Sequence, residues 1–142
     1  MSKKGMGHWE GVHTNDSVAK RFERCGLFLI YDGTTPVGTI TMSTLVPITY
    51  NGAEKKFWKD ANAEALYLTA LGVLPVYQGK GFATRLLTFS EEKAKERGIR
   101  YVRFNALESY QELTEFYIRR GYTVVGKGPV RGFHSTFFEK QV

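Results

Sequence analysis

Apolar and polar positions along this chain follow two different periods, and the change from one to the other falls in a single stretch. Ala65 to Leu74 is an apolar run rich in strand formers, and Pro75 cannot continue a ladder. Beyond it Ala83, Leu86, Leu87, Ser90 and Ala94 recur at helical spacing, and a helix is predicted to about Arg97 with its stop at Gly98. The switch lies at Gln78–Gly81, so the stretch reads as strand, turn, helix.

On either side the pattern predicts shorter elements. Met1 to Gly11 is rich in Gly and Lys and is expected to fray, while Asn15–Cys25 predicts a helix with Val18, Phe22 and Cys25 on one face and Gly26 as its stop. Leu27–Tyr31 and Val37–Val46 predict an antiparallel pair around Asp32-Gly33-Thr34-Thr35-Pro36, a loop with hairpin chemistry. Ile99–Phe104 predicts a strand beside Ala65–Leu74. Ser109 to Glu112 has the spacing of a capping box, and Leu113, Phe116 and Tyr117 form an apolar stripe before Gly121. Tyr122–Gly126 and Phe133–Glu139 predict two final strands, joined by a loop over Lys127–Gly132. The order β β β α β α β β predicts an α/β (α+β) mixed sheet, mostly antiparallel, flanked by helices.

Lys55–Asn62 is polar but carries Phe57 and Trp58. It reads either as a substrate-side loop, with Asp60 and Glu64 in reach of a substrate, or as a cover whose two rings close the core from outside. The second is favoured, because large aromatic side chains bury mostly for packing.

Composition narrows the class. With 142 residues, 42% hydrophobic and 14% aromatic, the chain is expected to form one globular domain over residues 1–142. No apolar run approaches the ~20 residues of a membrane span, and the N-terminus lacks a signal-type apolar segment, so a cytoplasmic protein is expected. Cys25 is the only cysteine, which excludes an intrachain disulfide and a thiolate zinc cluster, and His8 and His13 have no metal-ligand spacing. Twenty Lys and Arg against fourteen Asp and Glu give +6. That excess forms no basic run with interleaved aromatics, so a nucleic-acid-binding protein rests on charge alone. Between Val76 and Arg103 seven residues are basic and three acidic, which concentrates positive charge around the glycine turn.

Gly79 and Gly81, one residue apart at a helix start, remove the side chains that would hold a ligand away and leave unpaired N–H groups pointing outward. The helix dipole, with Lys80 and Arg85 nearby, suits a phosphate or pyrophosphate. The alternative is a tight turn with no ligand. Two other phosphate loops fail on spacing: a Walker A loop needs Gly and Ser or Thr where Leu74 and Gly81 stand, and the dinucleotide fingerprint needs a third Gly where Thr84 stands.

Val73-x-Pro75-x-Tyr77-Gln78-Gly79-x-Gly81-Phe82-Ala83-x-x-Leu86 resembles the acetyl-CoA-binding motif of the GNAT superfamily of N-acetyltransferases, whose core is Gln or Arg, two residues, Gly, one residue, Gly or Ala. Phe116-Tyr117-x-x-x-Gly121-Tyr122 resembles the second motif of that family, and together the resemblance covers roughly Leu27 to the C-terminus. It implies the GNAT acyl-CoA N-acyltransferase fold, with acetyl-CoA as co-substrate and a primary amine as acceptor that attacks the thioester directly. Carried over position by position, it implies cofactor contacts at Leu71, Gly72, Val73, Gln78, Gly79, Lys80, Gly81, Phe82, Ala83 and Thr84. It also implies that Tyr117 protonates or hydrogen-bonds the departing thiolate; without the resemblance, Tyr117 reads as a packed core residue.

Three features depart from the family pattern. Tyr110 stands where an Asn often contacts CoA. Thr69, Ala70 and Leu71 stand where a carboxylate or His often deprotonates the amine, leaving Glu64, Tyr67 or His134 acting through water. The segment before Asn15 is short, so the first predicted strand, Leu27–Tyr31, has an open edge that the N-terminal residues or a second copy of the chain would cover, and a homodimer is the expectation. The missing base also motivates a rival reading, a CoA-binding or regulatory domain with reduced catalysis. The acceptor amine is not legible.

Overall fold

A computed structural model of the chain describes residues 12–13, 25–109 and 111–142. Among them, seven strands make one sheet: β1 Val12–His13, β2 Cys25–Asp32, β3 Thr35–Ser43, β4 Ala65–Val73, β5 Tyr101–Leu107, β6 Thr123–Val130 and β7 Phe133–Gln141. Their order across the sheet is β1-β2-β3-β4-β5-β7-β6. Only β4 and β5 run parallel; the other neighbours are antiparallel.

Among the described residues two α-helices flank the sheet, α1 at Phe82–Glu96 and α2 at Gln111–Arg119. The predicted spacing places α1, which buries Phe82, Leu86, Leu87, Phe89, Ser90 and Ala94 against the sheet. Each large apolar side chain buried there stabilises by roughly 1.5–3 kcal/mol. Ser90 is tolerated because its hydroxyl donates back to the carbonyls of Leu86 and Leu87, at 3.1 and 2.8 Å. Gly98, at φ 72, ends the helix by the left-handed turn its position requires.

Strand alternation then divides the core in two. Leu66 and Leu68 of β4, with Val102 and Phe104 of β5, face the helix-side cluster. Ala65, Tyr67 and Tyr101 join a second cluster with Tyr50, Trp58 and Phe137. Residues 44–64, between β3 and β4, supply Tyr50 and Trp58 to that second cluster, so Trp58 covers the core as the covering reading expects, and Phe57 packs beside it. The Phe57 ring lies directly over Gly126, where a Cβ would overlap it.

Some boundaries differ from expectation. Cys25 and Gly26 belong to β2, paired with Ser43 and Met42, so Gly26 is a buried strand glycine and not a helix stop; the rest of the helix predicted over Asn15–Cys25 lies outside the described residues. Strand β3 ends at Ser43, short of Val46, because the Ser43 hydroxyl accepts from the Leu45 amide at 3.0 Å and starts a turn. The loop predicted over Lys127–Gly132 shrinks to Arg131 and Gly132, both at positive φ (53 and 82), as a two-residue hairpin demands. Pro129 is accommodated within β6 because β6 is an edge strand. At the other edge, Val12 and His13 pair with Ile30 and Leu29, so the chain itself supplies the neighbour of β2 there.

Candidate functional site

The site begins where the sheet comes apart. Strands β4 and β5 pair only over Ala65–Tyr67 and Tyr101–Arg103; beyond these residues each leaves the other unpaired. On its other side β4 shifts register against β3 between Thr39 and Thr41, and Ala70 in the bulge has φ 54. A bulge bends its strand and sharpens the twist. Ala70 therefore accompanies the divergence of β4 from β5.

The end of β4 runs into the glycine turn. Leu74 begins it, Pro75–Tyr77 makes one turn of 3-10 helix, and the Gln78 side-chain amide donates to the Val73 carbonyl at 3.0 Å, closing the turn on the strand. Gly79 and Gly81 have φ 80 and 90, values that exclude most other residues. The first intrahelical bond of α1 runs from the Arg85 amide to the Gly81 carbonyl at 3.0 Å, which leaves the amides of Phe82, Ala83 and Thr84 without intrahelical acceptors.

Helix α2 forms the opposite wall. Leu113, Phe116, Tyr117 and Arg120 face Leu71, Gly72, Val73 and the glycine turn across a cleft of about 530 Å³. Of the residues expected to touch a cofactor, Leu71, Gly72, Val73, Gln78, Gly79, Gly81, Phe82, Ala83 and Thr84 all line this cleft with Tyr117. Lys80 does not line it: the side chain is exposed, with its ammonium 5.8 Å from the Tyr77 ring centre.

Tyr117 is buried, packed against Phe104, Phe116, Tyr122 and Phe138 with ring centres 4.6 to 6.3 Å away. Its hydroxyl has no hydrogen-bond partner among the described residues. Burial pushes its pKa up to about 12, so the phenol stays protonated at pH 7. The packed-residue reading and the cleft reading of Tyr117 thus meet in one side chain. The neighbouring Tyr122 is raised further by burial, and then by Glu91, which accepts its hydroxyl at 2.8 Å.

Arg120 was not anticipated. Its Nε donates to the Thr84 hydroxyl at 3.0 Å and its guanidinium carbon lies 4.8 Å from the Phe116 ring centre, placing a cation in the cleft. The only sequence signal is its position three residues after Tyr117, on the same helical face. Tyr110 lies outside the described residues.

The opposite face of the sheet is also polar. Arg103, fully buried, donates to Glu139 at 2.7 Å, to the Tyr67 hydroxyl at 3.2 Å and to the Asp60 carbonyl at 2.7 Å. Its guanidinium is therefore matched. The Tyr50 hydroxyl donates to Asn105 Oδ1 at 2.8 Å. Among the base candidates, Tyr67 has its oxygen engaged by Arg103, while Glu64 and His134 are exposed. The described residues contain no group of three metal-ligating side chains and no helix long and apolar enough to cross a membrane.

A cleft with exposed amides and a cation at one end, apolar walls and a buried phenol suits a long ligand with an anionic head and a reactive tail. The comparisons agree on the class. The model of the Acetyltransferase (GNAT) family matches residues 6–122. The solved structure of Arabidopsis thaliana NAA60 with acetyl-CoA is similar at TM-score 0.68 and 15% identity, over 84% of this chain and 77% of that one. The PaiA N-acetyltransferase of Thermoplasma acidophilum, with coenzyme A, gives 0.65 and 18% over 84% of this chain and 62% of that one. An IAA acetyltransferase from Bacillus cereus gives 0.64 and 14% over 90% and 85%. At these identities the structural likeness shows the fold. No curated protein sequence matches significantly. The chain belongs to the GNAT acetyltransferase family. Membership makes it an acyltransferase with acetyl-CoA as co-substrate.

Proposed function

We propose that this chain transfers the acetyl group of acetyl-CoA to a primary amine by direct attack, with the donor lying in the cleft between β4, the glycine turn and α2. The observation that carries the reading is the placement of Tyr117 and the free amides of Phe82–Thr84 on one cleft at the opening of the sheet. The backbone at Gln78–Thr84 holds the pyrophosphate at the start of α1, where N–H groups and helix dipole favour anions. Leu71–Val73, unpaired on the β5 side, offer backbone groups to the pantetheine arm.

Tyr117 faces the leaving sulfur. A phenol at about 12 is a weaker acid than a thiol at ~8.5, so full proton transfer to the thiolate is uphill by roughly 3.5 units, or about 5 kcal/mol. Hydrogen-bond donation to the developing thiolate carries no such cost and is strengthened by burial. The sulfur then takes its proton from the amine nitrogen as the amide forms.

The test pairs two measurements. Acetyl-CoA should raise the melting temperature of the protein in a concentration-dependent way, and a panel of primary amines should give amine-dependent release of free CoA thiol. No thermal shift at millimolar acetyl-CoA would remove the donor site from this cleft. A thermal shift with no thiol release from any amine would support the rival reading, a CoA-binding domain with reduced catalysis.

A further inference from the structure

A second cavity, of about 400 Å³, lies across β2, β3 and β4 on the sheet face opposite the helices. Strand alternation and register set its floor. Phe28 and Ile30 belong to the helix-side cluster, so Leu29 between them points the other way. Leu29 pairs with Thr39 and Thr39 with Gly72, which puts the three in one row on that face. The row depends on the bulge, where Ala70 and Leu71 of β4 stand against the single Ile40 of β3. The extra residue turns Leu71 and Val73 onto the helix side, where they pack on the core, and brings Gly72 to the opposite face. Pro36, Leu74 and Pro75 form the rim, and the fixed φ of the two prolines keeps it preformed.

The lining limits what can enter. Among the described residues no ionisable side chain faces this cavity, and the Thr39 hydroxyl already donates to the Phe28 carbonyl at 3.2 Å. A charged group placed there would lose its water and gain no partner, so the occupant is apolar. The cavity is also continuous with the donor cleft: Gly72 and Val73 line both. Gly72 has no side chain, and a Cβ there would meet nothing within 4 Å, so no side chain separates the two spaces at this residue. An acetyl group, with a single carbon beyond its carbonyl, is too short to fill such a space. That leaves the other substrate.

We infer that this cavity receives the carbon chain of the acceptor, which is a primary amine bearing an uncharged alkyl or arylalkyl substituent. The inference deepens the acetyl-transfer reading and rests on it. The chain lies on Leu29 and Thr39 between Pro36 and Leu74, and the nitrogen reaches the thioester across Gly72.

Amines of one basicity and different tails test this, each with saturating acetyl-CoA: ethylamine, n-hexylamine, hexane-1,6-diamine and 6-aminohexanoate. Each methylene buried in an apolar site favours binding roughly fourfold, so kcat/KM is expected to rise at least about 30-fold from ethylamine to hexylamine. The diamine and the aminohexanoate, whose far ends are charged, are expected to fall at least about tenfold below hexylamine. Leu29→Asn is expected to lower the hexylamine-to-ethylamine ratio about tenfold or more, with the thermal shift by acetyl-CoA unchanged. If that variant does not fold, Leu74→Ser at the 49% exposed rim position is expected to lower the same ratio at least about threefold. Equal efficiency with ethylamine and hexylamine, equal use of the charged-ended amines, or a wild-type ratio in the folded variant overturns the inference. So does a protein that prefers hexanoyl-CoA to acetyl-CoA and is indifferent to the amine, since the cavity would then hold the acyl chain. Binding of acetyl-CoA with no thiol release from any of the four amines overturns the acceptor pocket and leaves the donor site standing. Failure to bind acetyl-CoA overturns the proposed function itself.

Discussion

Arg120 Nε donates to the Thr84 hydroxyl at 3.0 Å, which ties the end of α2 to the first turn of α1 across the mouth of the cleft. Lys140 reinforces this closure from behind, donating to the Arg120 carbonyl at 2.9 Å and to Glu91 of α1 at 3.0 Å. The two walls are therefore held together by polar bonds at the same end as the free amides of α1.

Arg120→Ala should raise KM for acetyl-CoA about tenfold, equivalent to roughly 1.4 kcal/mol, because it removes the cation that lines the cleft beside Thr84. The effect should shrink with added salt, since a partly exposed charge is screened. Stability should change by less than about 1 kcal/mol. Steady-state kinetics at two ionic strengths, with a thermal melt, checks all three.

Gly72 offers a cleaner probe of the cleft than Gly81. At Gly81 any side chain meets φ 90, so strain and ligand exclusion would be confounded. At Gly72 the backbone is ordinary strand, a Cβ would meet nothing within 4 Å, and the residue lines the cleft. Gly72→Leu should leave the melting temperature within a few degrees of wild type and raise KM for acetyl-CoA at least tenfold. Unchanged KM in the folded variant would take Leu71–Val73 out of the donor site.

The donor side of the site was legible because local chemistry writes it: the change of period at Gln78–Gly81 and two glycines at positive φ belong to one continuous stretch. The helix bearing Tyr117 was legible for the same reason. What misled was local chemistry overruled by tertiary context. Gly26 reads as a helix stop yet is buried in a strand, and Pro129 reads as loop yet fits an edge strand. Glu54 was illegible, since in Asn51-Gly52-Ala53-Glu54-Lys55-Lys56 it looks like one more solvated charge. In the fold its 3-10 turn packs on β6 and leaves it 1% exposed.

That folding depends on a contact between Phe57 and Gly126. A Cβ at residue 126 would overlap the Phe57 ring, so Gly126→Ala must push the ring and its segment outward. The expected cost is about 1–3 kcal/mol, as for overpacking elsewhere. In a Phe57→Ala background the same substitution should cost less than about 0.5 kcal/mol, because the obstacle is gone. Denaturant melts of the four proteins in this cycle measure the coupling, and additive effects would show that Phe57 does not press on Gly126.

Tyr117 links the chemistry to a pH dependence whose sign is fixed by its burial. Its pKa is about 12 in the fold and ~10 when unfolded, so the neutral phenol is favoured by folding. The corresponding stability is fully present below pH 10 and is lost as pH rises through 12, a difference of two units or roughly 2–3 kcal/mol. Tyr50 and Tyr122, also raised by burial, add to the same slope. Tyr117→Phe keeps the ring packing against Phe104 and Phe138 and removes a hydroxyl with no partner among the described residues, so stability at pH 7 should hold. Between pH 10 and 12 the variant should lose less stability than wild type, by up to that amount. At pH 7 it should bind acetyl-CoA normally and transfer acetyl about 100-fold more slowly, because the departing sulfur loses its donor. Slow transfer with normal binding assigns the hydroxyl to the leaving group. Unchanged transfer with a flattened alkaline melt would leave Tyr117 as a packed core residue that happens to border the cleft.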